Sequence, residues 1–139
     1  MKLVICGDSE LTDESAVQKA IDYFKLTGLT EVISGDCKGA DRFGENWAKK
    51  QGLLVKKFPA KWKDLDAPGA VIKSNAFGKY NANAGFDRNK VMVDYGDAVL
   101  ALELSGKTPG TQNTIKYAKE KEKPVYEYTG QDKEYKYVF

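Results

Sequence analysis

The strongest constraint on the fold is an alternation of short apolar runs with longer amphipathic segments along most of the chain. The apolar runs predict five strands, at 2–6, 31–34, 53–58, 97–102 and 124–128. The segments between them place apolar residues at helical spacing and predict helices at 12–27, 40–51, 86–95 and 111–121. Strands joined through helices form parallel sheets with right-handed crossovers. We therefore predict a doubly wound α/β fold, with a parallel five-stranded sheet in the order 3-2-1-4-5 and helices on both faces.

Two segments lie outside this alternation. Residues 59–84 are rich in Gly, Asn and Ala without a clear period, and they predict either a functional lid or an irregular insertion. Residues 129–139 end in alternating aromatic positions, which is typical of an added edge strand or a subunit contact. Because 139 residues suffice for one hydrophobic core, we predict a single domain over 1–139.

Composition removes several classes of function. The chain has 22 Lys and Arg against 20 Asp and Glu, a net charge of +2, so we expect no binding to duplex nucleic acid or to a membrane. It has no His, which excludes Ser/His/Asp and Cys/His nucleophile systems and the common His-based metal sites. Two cysteines, Cys6 and Cys37, are too few for a disulfide scaffold, and the first apolar run is too short for a signal peptide. We expect a cytoplasmic protein without a metal or a cofactor.

Glycine-rich turns follow three of the predicted strands. In an open parallel sheet, ligands bind beyond the carboxyl ends of the strands where the strand order reverses, here between the first and fourth strands. Turns at 7–9, 34–41 and 105–111 meet there, and they combine glycines with helix N-termini that offer free N–H groups. Such a crevice favours a phosphate. The residues of these turns predicted to contact the ligand are Gly7, Asp8, Ser9, Ser34, Gly35, Asp36, Lys38, Gly39, Asp41, Gly106, Lys107, Gly110 and Thr111.

Two neighbouring residues outside the turns complete the predicted site. Arg88 and Asn89 lie in the first turn of the predicted third helix, at the rim of the crevice, where Arg88 can clamp a phosphate through charge-assisted hydrogen bonds. Trp62 lies in the segment without a period, where it either stacks a base or packs that segment onto the rest of the domain. Asp41 also has two interpretations, since an acid in the first turn of a helix stabilises the helix dipole.

Four motifs follow one another at the predicted boundaries of strands and helices. They are Ser34-Gly35 with Lys38-Gly39-Ala40-Asp41, Pro59-Ala60-x-Trp62, Arg88-Asn89-x-x-Met92, and Gly106-Lys107-Thr108-x-Gly110-Thr111. Together they resemble the SLOG superfamily of Rossmann-like nucleotide-binding domains, and more narrowly its stand-alone YspA/YpsA-related branch. The similarity extends over nearly the whole chain.

The resemblance implies a Rossmann-like fold and a ligand with nucleotide parts, such as an ADP-ribose-type or cyclic nucleotide signal, which the protein senses or sequesters. Relatives commonly have Gly-Ser-Arg after the first strand and a glycine at the position of Asp36, whereas this chain has Gly7-Asp8-Ser9 and Asp36. The two extra carboxylates suit ribose hydroxyls, a base amine or a metal-bridged phosphate. We expect a binding protein that forms a homo-oligomer.

Two other functions remain open. A related enzyme branch, the Lonely Guy phosphoribohydrolases, cleaves base–ribose bonds and has Gly-Gly-x-Gly-Thr-x-x-Glu at the fourth turn, where Thr114 occupies the Glu position here. A hydrolase of a nucleotide N-glycosidic or phosphate bond would therefore use Asp8, Asp36 or Asp41 as its acid. The other alternative is binding of single-stranded DNA, as in DprA-type proteins, which requires a basic groove with stacking aromatic residues.

Overall fold

The computed structural model describes residues 1–104 and 106–130, and the backbone of 136–138. Strands and helices alternate through most of this part of the chain. In chain order, the elements are β1 (Lys2–Gly7), α1 (Ala16–Tyr23), β2 (Glu31–Ser34), α2 (Ala40–Lys50), β3 (Leu54–Lys57), β4 (Ile72–Asn75), β5 (Gly78–Asn81), α3 (Ala84–Tyr95), β6 (Ala98–Leu102), α4 (Pro109–Glu120), β7 (Val125–Tyr128) and β8 (Lys136–Val138).

The main sheet has the strand order β3-β2-β1-β6-β7-β8. The first five strands of that order run parallel, and β8 pairs antiparallel with β7 at one edge. The predicted order 3-2-1-4-5 is therefore confirmed, since β6 and β7 are the fourth and fifth predicted strands. In the 129–139 tail, 136–138 form an added edge strand, whereas 131–135 and 139 lie outside the described residues.

Successive residues of the central strands enter two different cores. On β1, Leu3 and Ile5 pack with residues of α1 and α2. Val4 and Cys6, which point to the opposite face, pack with residues of α3 and α4. A strand buried on both faces must be apolar at every position, which explains why β1 and β6 appear in the sequence as continuous apolar runs.

The observed bounds of α2, α3 and α4 lie within two residues of the predicted ones, and α3 and α4 each begin two residues earlier than predicted. The exception is α1, which covers only Ala16–Tyr23 instead of 12–27. Before it, the Asp13 carboxylate accepts the backbone N–H of Ser15 at 3.0 Å, a local turn that competes with helix formation. After it, Lys25 adopts a positive φ of 53°, which ends the helical backbone. In the part of the chain that is described, no helix combines the length and the apolar character needed to cross a membrane.

The 59–84 segment contains a β-hairpin, which the residue pattern of this segment does not predict. β4 pairs antiparallel with β5, with Ile72 opposite Asn81 and Asn75 opposite Gly78. All four residues of β4 are exposed, so the strand has no buried face. A strand without a buried face leaves no alternation of apolar and polar residues, which is why the sequence shows no period at β4.

Candidate ligand-binding site

A crevice of about 270 Å³ lies where the strand order of the sheet reverses. β1 and β6 are neighbours there, but the chain leaves β1 toward α1 and reaches β6 from α3. The walls come from the end of β1, the turns after β1 and β2, the first turn of α2 and the first two turns of α4. They also include the second and third turns of α3, because that helix begins at Ala84 and Arg88 is its fifth residue. The lining residues are Cys6, Gly7, Ser9, Cys37, Asp41, Arg88, Asn89, Met92, Thr108, Gly110, Thr111 and Thr114. This is the position that the sequence predicts for the site.

Glycines allow the backbone to close the bottom of the crevice. Gly7 has a φ of 148°, and a Cβ atom on it would lie 2.1 Å from the carbonyl oxygen of Leu102 on β6. Gly39, just before α2, has a φ of 75°, and its Cβ would lie 2.5 Å from the carbonyl oxygen of Asp8. That oxygen accepts the N–H of Ala40 at 3.1 Å, so the start of α2 is held against the turn after β1. Only glycine permits these two approaches.

The N-terminus of α4 forms one wall of the crevice. Thr108 is its N-cap, and its Oγ1 accepts the backbone N–H of Thr111 at 3.4 Å. Pro109 has no N–H, which leaves the N–H of Gly110 as a first-turn donor without an acceptor among the described residues. A free amide at the positive end of a helix dipole attracts an anion.

Arg88 is held in position by neutral acceptors. Its Nη1 donates to the carbonyl oxygens of Gly35 and, at 3.2 Å, of Phe58, and its Nε donates to Asn89 Oδ1 at 3.0 Å. Gly35 is required for this contact, because a Cβ there would lie 2.6 Å from Nη1. Among the described residues, Nη2 has no acceptor and no carboxylate lies within 4.0 Å of the guanidinium. The half-buried cation is therefore fixed in place with two N–H groups free.

Asn89 connects α3 to the N-terminus of α4. Its Nδ2 donates to the carbonyl oxygen of Gly110 and to Asn113 Oδ1, both at 3.3 Å, while its Oδ1 accepts from Arg88. The buried carboxamide thus orients the guanidinium relative to the free amide of Gly110. Asn89 therefore contacts both residues that have a free N–H group in the crevice, Arg88 and Gly110.

Asp41 is the carboxylate of the crevice. Its side chain is buried, and its carboxylate accepts the backbone N–H of Cys37 at 3.4 Å. Burial raises the pKa of Asp41 from 3.8 to about 6, although the nearby Arg88 guanidinium lowers it. Burial also raises the pKa of the Cys6 thiol far above its ordinary value, with further increases from Asp41 and Glu103. Cys6 is therefore a neutral thiol at physiological pH, and both cysteines are free.

The other two aspartates of the predicted site do not line the crevice. Asp8 is buried, and its Oδ1 accepts the backbone N–H of Glu10 at 2.8 Å in a local turn. Asp36 has a φ of 61° and forms ion pairs with Arg42 at 3.0 Å and Lys57 at 3.8 Å. Asp36 is thus paired with cations outside the crevice, whereas Asp8 accepts from its own turn through Oδ1 and has a buried Oδ2 without a partner among the described residues.

The remaining predicted turn residues support the crevice or lie beside it. Ser34 is fully buried and donates to Glu45, also fully buried, which is paired with Arg42 at 2.7 Å. Lys38 is exposed and pairs with Glu10 at 3.1 Å. Gly35 and Gly39 contribute the close approaches described above, Gly106 and Lys107 are exposed in the turn before α4, and Ser105 lies outside the described residues. Any direct ligand contact of these residues remains a prediction.

Trp62 lines neither the crevice nor the larger cavity described below. Its ring makes an edge contact with Tyr80 of β5, at 6.5 Å between centroids, and covers Gly85 at the start of α3. Its carbonyl oxygen accepts the N–H of Asn81 at 2.7 Å. Of the two predicted roles, these contacts are those of a residue that packs the 59–84 segment onto α3.

Several lining residues are absent from the predicted ligand set. Spacing along a helix would have found two of them, because Met92 lies four residues after Arg88 and Thr114 three residues after Thr111, each on the same face. Cys6, Cys37 and Thr108 carry no such signal. Among the described residues, no group of three thiols or carboxylates is arranged to hold a metal ion.

A parallel sheet of this order, with a polar crevice where the order reverses, defines a Rossmann-like α/β domain. The family model of the YspA, cpYpsA-related SLOG family matches residues 1–64, which run from β1 to the segment after β3. The match supports membership of the chain in the SLOG superfamily, in its YspA-related branch; it includes the motifs at 34–41 and 59–62, whereas those at 88–92 and 106–111 lie outside the matched residues. Membership suggests a nucleotide-related domain. No curated protein matches the chain.

Proposed function

We propose that the protein binds a nucleotide-derived anion in the crevice and acts by sensing or sequestering it. The observation that carries this proposal is the state of Arg88, a half-buried cation held by three neutral acceptors with Nη2 free. A cation that pairs with no carboxylate is available to an anionic ligand, and charge-assisted bonds to a phosphate are strong. The free N–H of Gly110, in the same crevice, adds a second donor.

The proposal assigns different roles to the lining residues. Arg88 and Gly110 contact phosphate oxygens, and the hydroxyl groups of Ser9 and Thr111 are available to ribose or phosphate. Asp41, when protonated, can donate a hydrogen bond to a phosphate oxygen. Because an anion disfavours ionised Asp41, we expect binding to take up a proton and affinity to rise as the pH falls through about 6.

Titration calorimetry with inorganic pyrophosphate and with ADP tests the proposal. Arg88→Ala should weaken binding of both at least tenfold, which corresponds to about 1.4 kcal/mol. Arg88→Lys keeps the charge but loses the planar set of donors, so it should recover only part of the affinity. Lys116→Ala, which removes one positive charge from the exposed face of α4, is the matched control. A cooperative thermal unfolding transition shows that Arg88→Ala is folded. If the folded Arg88→Ala variant binds both ligands as tightly as wild type does, the proposal is contradicted.

One observation favours hydrolysis of a nucleotide N-glycosidic bond as a second candidate function. Asp41 is buried in the crevice with a pKa of about 6, and a carboxyl group of this kind can act as a general acid near neutral pH. Incubation with nucleotides, followed by chromatography, distinguishes the two functions. A binding protein returns the nucleotide intact, whereas a hydrolase releases the free base in wild type and not in Asp41→Asn.

A further inference from the structure

A second and larger cavity, of about 530 Å³, lies between the segment after β3 and the first two turns of α3. Arg88 lines this cavity as well as the crevice. The wall combines apolar residues with charged and polar ones, which include Lys56, Lys57 and Lys61. Its apolar residues are Phe58, Pro59, Ala60, Ala67, Ala84 and Val91.

We propose that the larger cavity holds the nucleoside part of the ligand whose phosphates bind in the crevice. This inference rests on the proposed function and narrows the ligand to a nucleoside diphosphate or a larger derivative of one. The crevice alone, at about 270 Å³, is smaller than most small-molecule sites, which occupy about 300–1,000 Å³. The larger cavity supplies the missing volume.

The contacts of Arg88 support a ligand that occupies both spaces. Its Nε donates to Asn89 in the wall of the crevice at 3.0 Å, and its Nη1 donates to the carbonyl oxygen of Phe58 in the wall of the larger cavity at 3.2 Å. The guanidinium is thus anchored to both sides, and its free Nη2 is available to a phosphate that joins the two parts of the ligand. A ligand confined to one cavity would not need a cation shared by the two.

The polar groups of the larger cavity suit a base and a ribose. Asn81 is fully buried, and its Oδ1 accepts the backbone N–H groups of Val71 at 3.1 Å and Asn83 at 3.0 Å. These two bonds define the orientation of the amide, so Nδ2 is the donor left without a partner among the described residues. An unpaired buried donor is unfavourable, and an acceptor on a nucleobase would satisfy it. Asp64 and Asp87 in the same wall provide acceptors for an amine or a hydroxyl.

Calorimetry with inorganic pyrophosphate and with ADP, GDP, CDP and UDP tests the inference. At least one nucleoside diphosphate should bind tenfold or more tightly than pyrophosphate. Ala67→Phe, which fills the larger cavity, should reduce that affinity to the level of pyrophosphate and leave pyrophosphate binding unchanged. Ala76→Phe, in the exposed turn of the hairpin and outside the cavity wall, is the matched control and should change neither. Val91→Trp fills the cavity from a half-exposed helical position and is the second variant if Ala67→Phe does not fold.

The outcomes separate this inference from the proposed function. If neither pyrophosphate nor any of the four nucleotides binds, the proposed function fails. If pyrophosphate binds and every nucleotide binds with the same affinity, the crevice is an anion site and the nucleoside inference is wrong. Nucleotide binding that survives unchanged in both cavity-filling variants would also overturn it.

Discussion

Asp41→Asn should make the protein more stable at neutral pH. Burial raises the pKa of Asp41 from 3.8 to about 6, and each factor of ten in a proton affinity corresponds to about 1.4 kcal/mol. The ionised carboxylate therefore costs the folded state about 3 kcal/mol relative to the protonated one. Asparagine keeps an oxygen for the N–H of Cys37 but cannot ionise, so it avoids this cost.

The direction of the pH dependence of stability follows from the pH range in which the folded and unfolded states each bind the Asp41 proton. Below pH 3.8 the carboxyl is protonated in both the folded and the unfolded state, and no cost arises. Between pH 3.8 and about 6 the unfolded state loses its proton first, so wild-type stability falls relative to the variant. Above about pH 6 both states are ionised and the cost is constant. The stability difference between variant and wild type should thus grow by about 3 kcal/mol from below pH 4 to pH 7.

Urea unfolding followed by tryptophan fluorescence, from pH 3.5 to 7.5, measures this difference. Because the variant and the wild type share all other titratable groups, the contributions of those groups cancel in the difference between the two free energies of unfolding. Asp66→Asn removes one carboxylate from an exposed position and should differ from wild type by a few tenths of a kcal/mol, about the effect of an ordinary surface substitution. A stability difference for Asp41→Asn that stays constant across this pH range would refute the argument.

Three further substitutions test the elements that form the crevice, each by urea unfolding. Gly39→Ala should destabilise the protein by about 2 kcal/mol more than Gly28→Ala, because both glycines have a positive φ but only Gly39 has backbone within 4 Å of the added Cβ. Thr108→Val should cost about 1 kcal/mol through loss of the α4 cap, and an unchanged midpoint would show that the cap is unimportant. Ser34→Ala should cost about 1–3 kcal/mol because buried Glu45 loses a hydrogen-bond donor, and stability equal to that of wild type would contradict that role.

The fold follows from the sequence because the central strands are buried on both faces. An apolar run such as Val99–Leu102 cannot lie at a surface, and helices between such runs force parallel pairing. The hairpin could not be predicted in this way. Its first strand is exposed at every position, so burial leaves no pattern in its residues.

The position of the crevice was partly predictable because it follows from the strand order. Gly7 and Gly110 lie at element boundaries and Arg88 lies one turn inside α3, and the strand order brings these positions together. The directions of the carboxylates were not predictable. Asp36 is directed to its partners by a positive φ and by cations on α2 and β3, and those cations reach it only after the chain has folded.

The amino-acid order alone therefore determined the layers, the strand order and the edge of the sheet where a ligand would bind, because burial of apolar runs and backbone connectivity are local properties of the chain. The tertiary structure decided which charges face that edge. It freed part of Arg88, buried Asp41 and directed Asp8 and Asp36 to other partners. Electrostatic partners are chosen across distances in sequence that no local pattern records, and the larger cavity beside Arg88 arises from the same long-range packing.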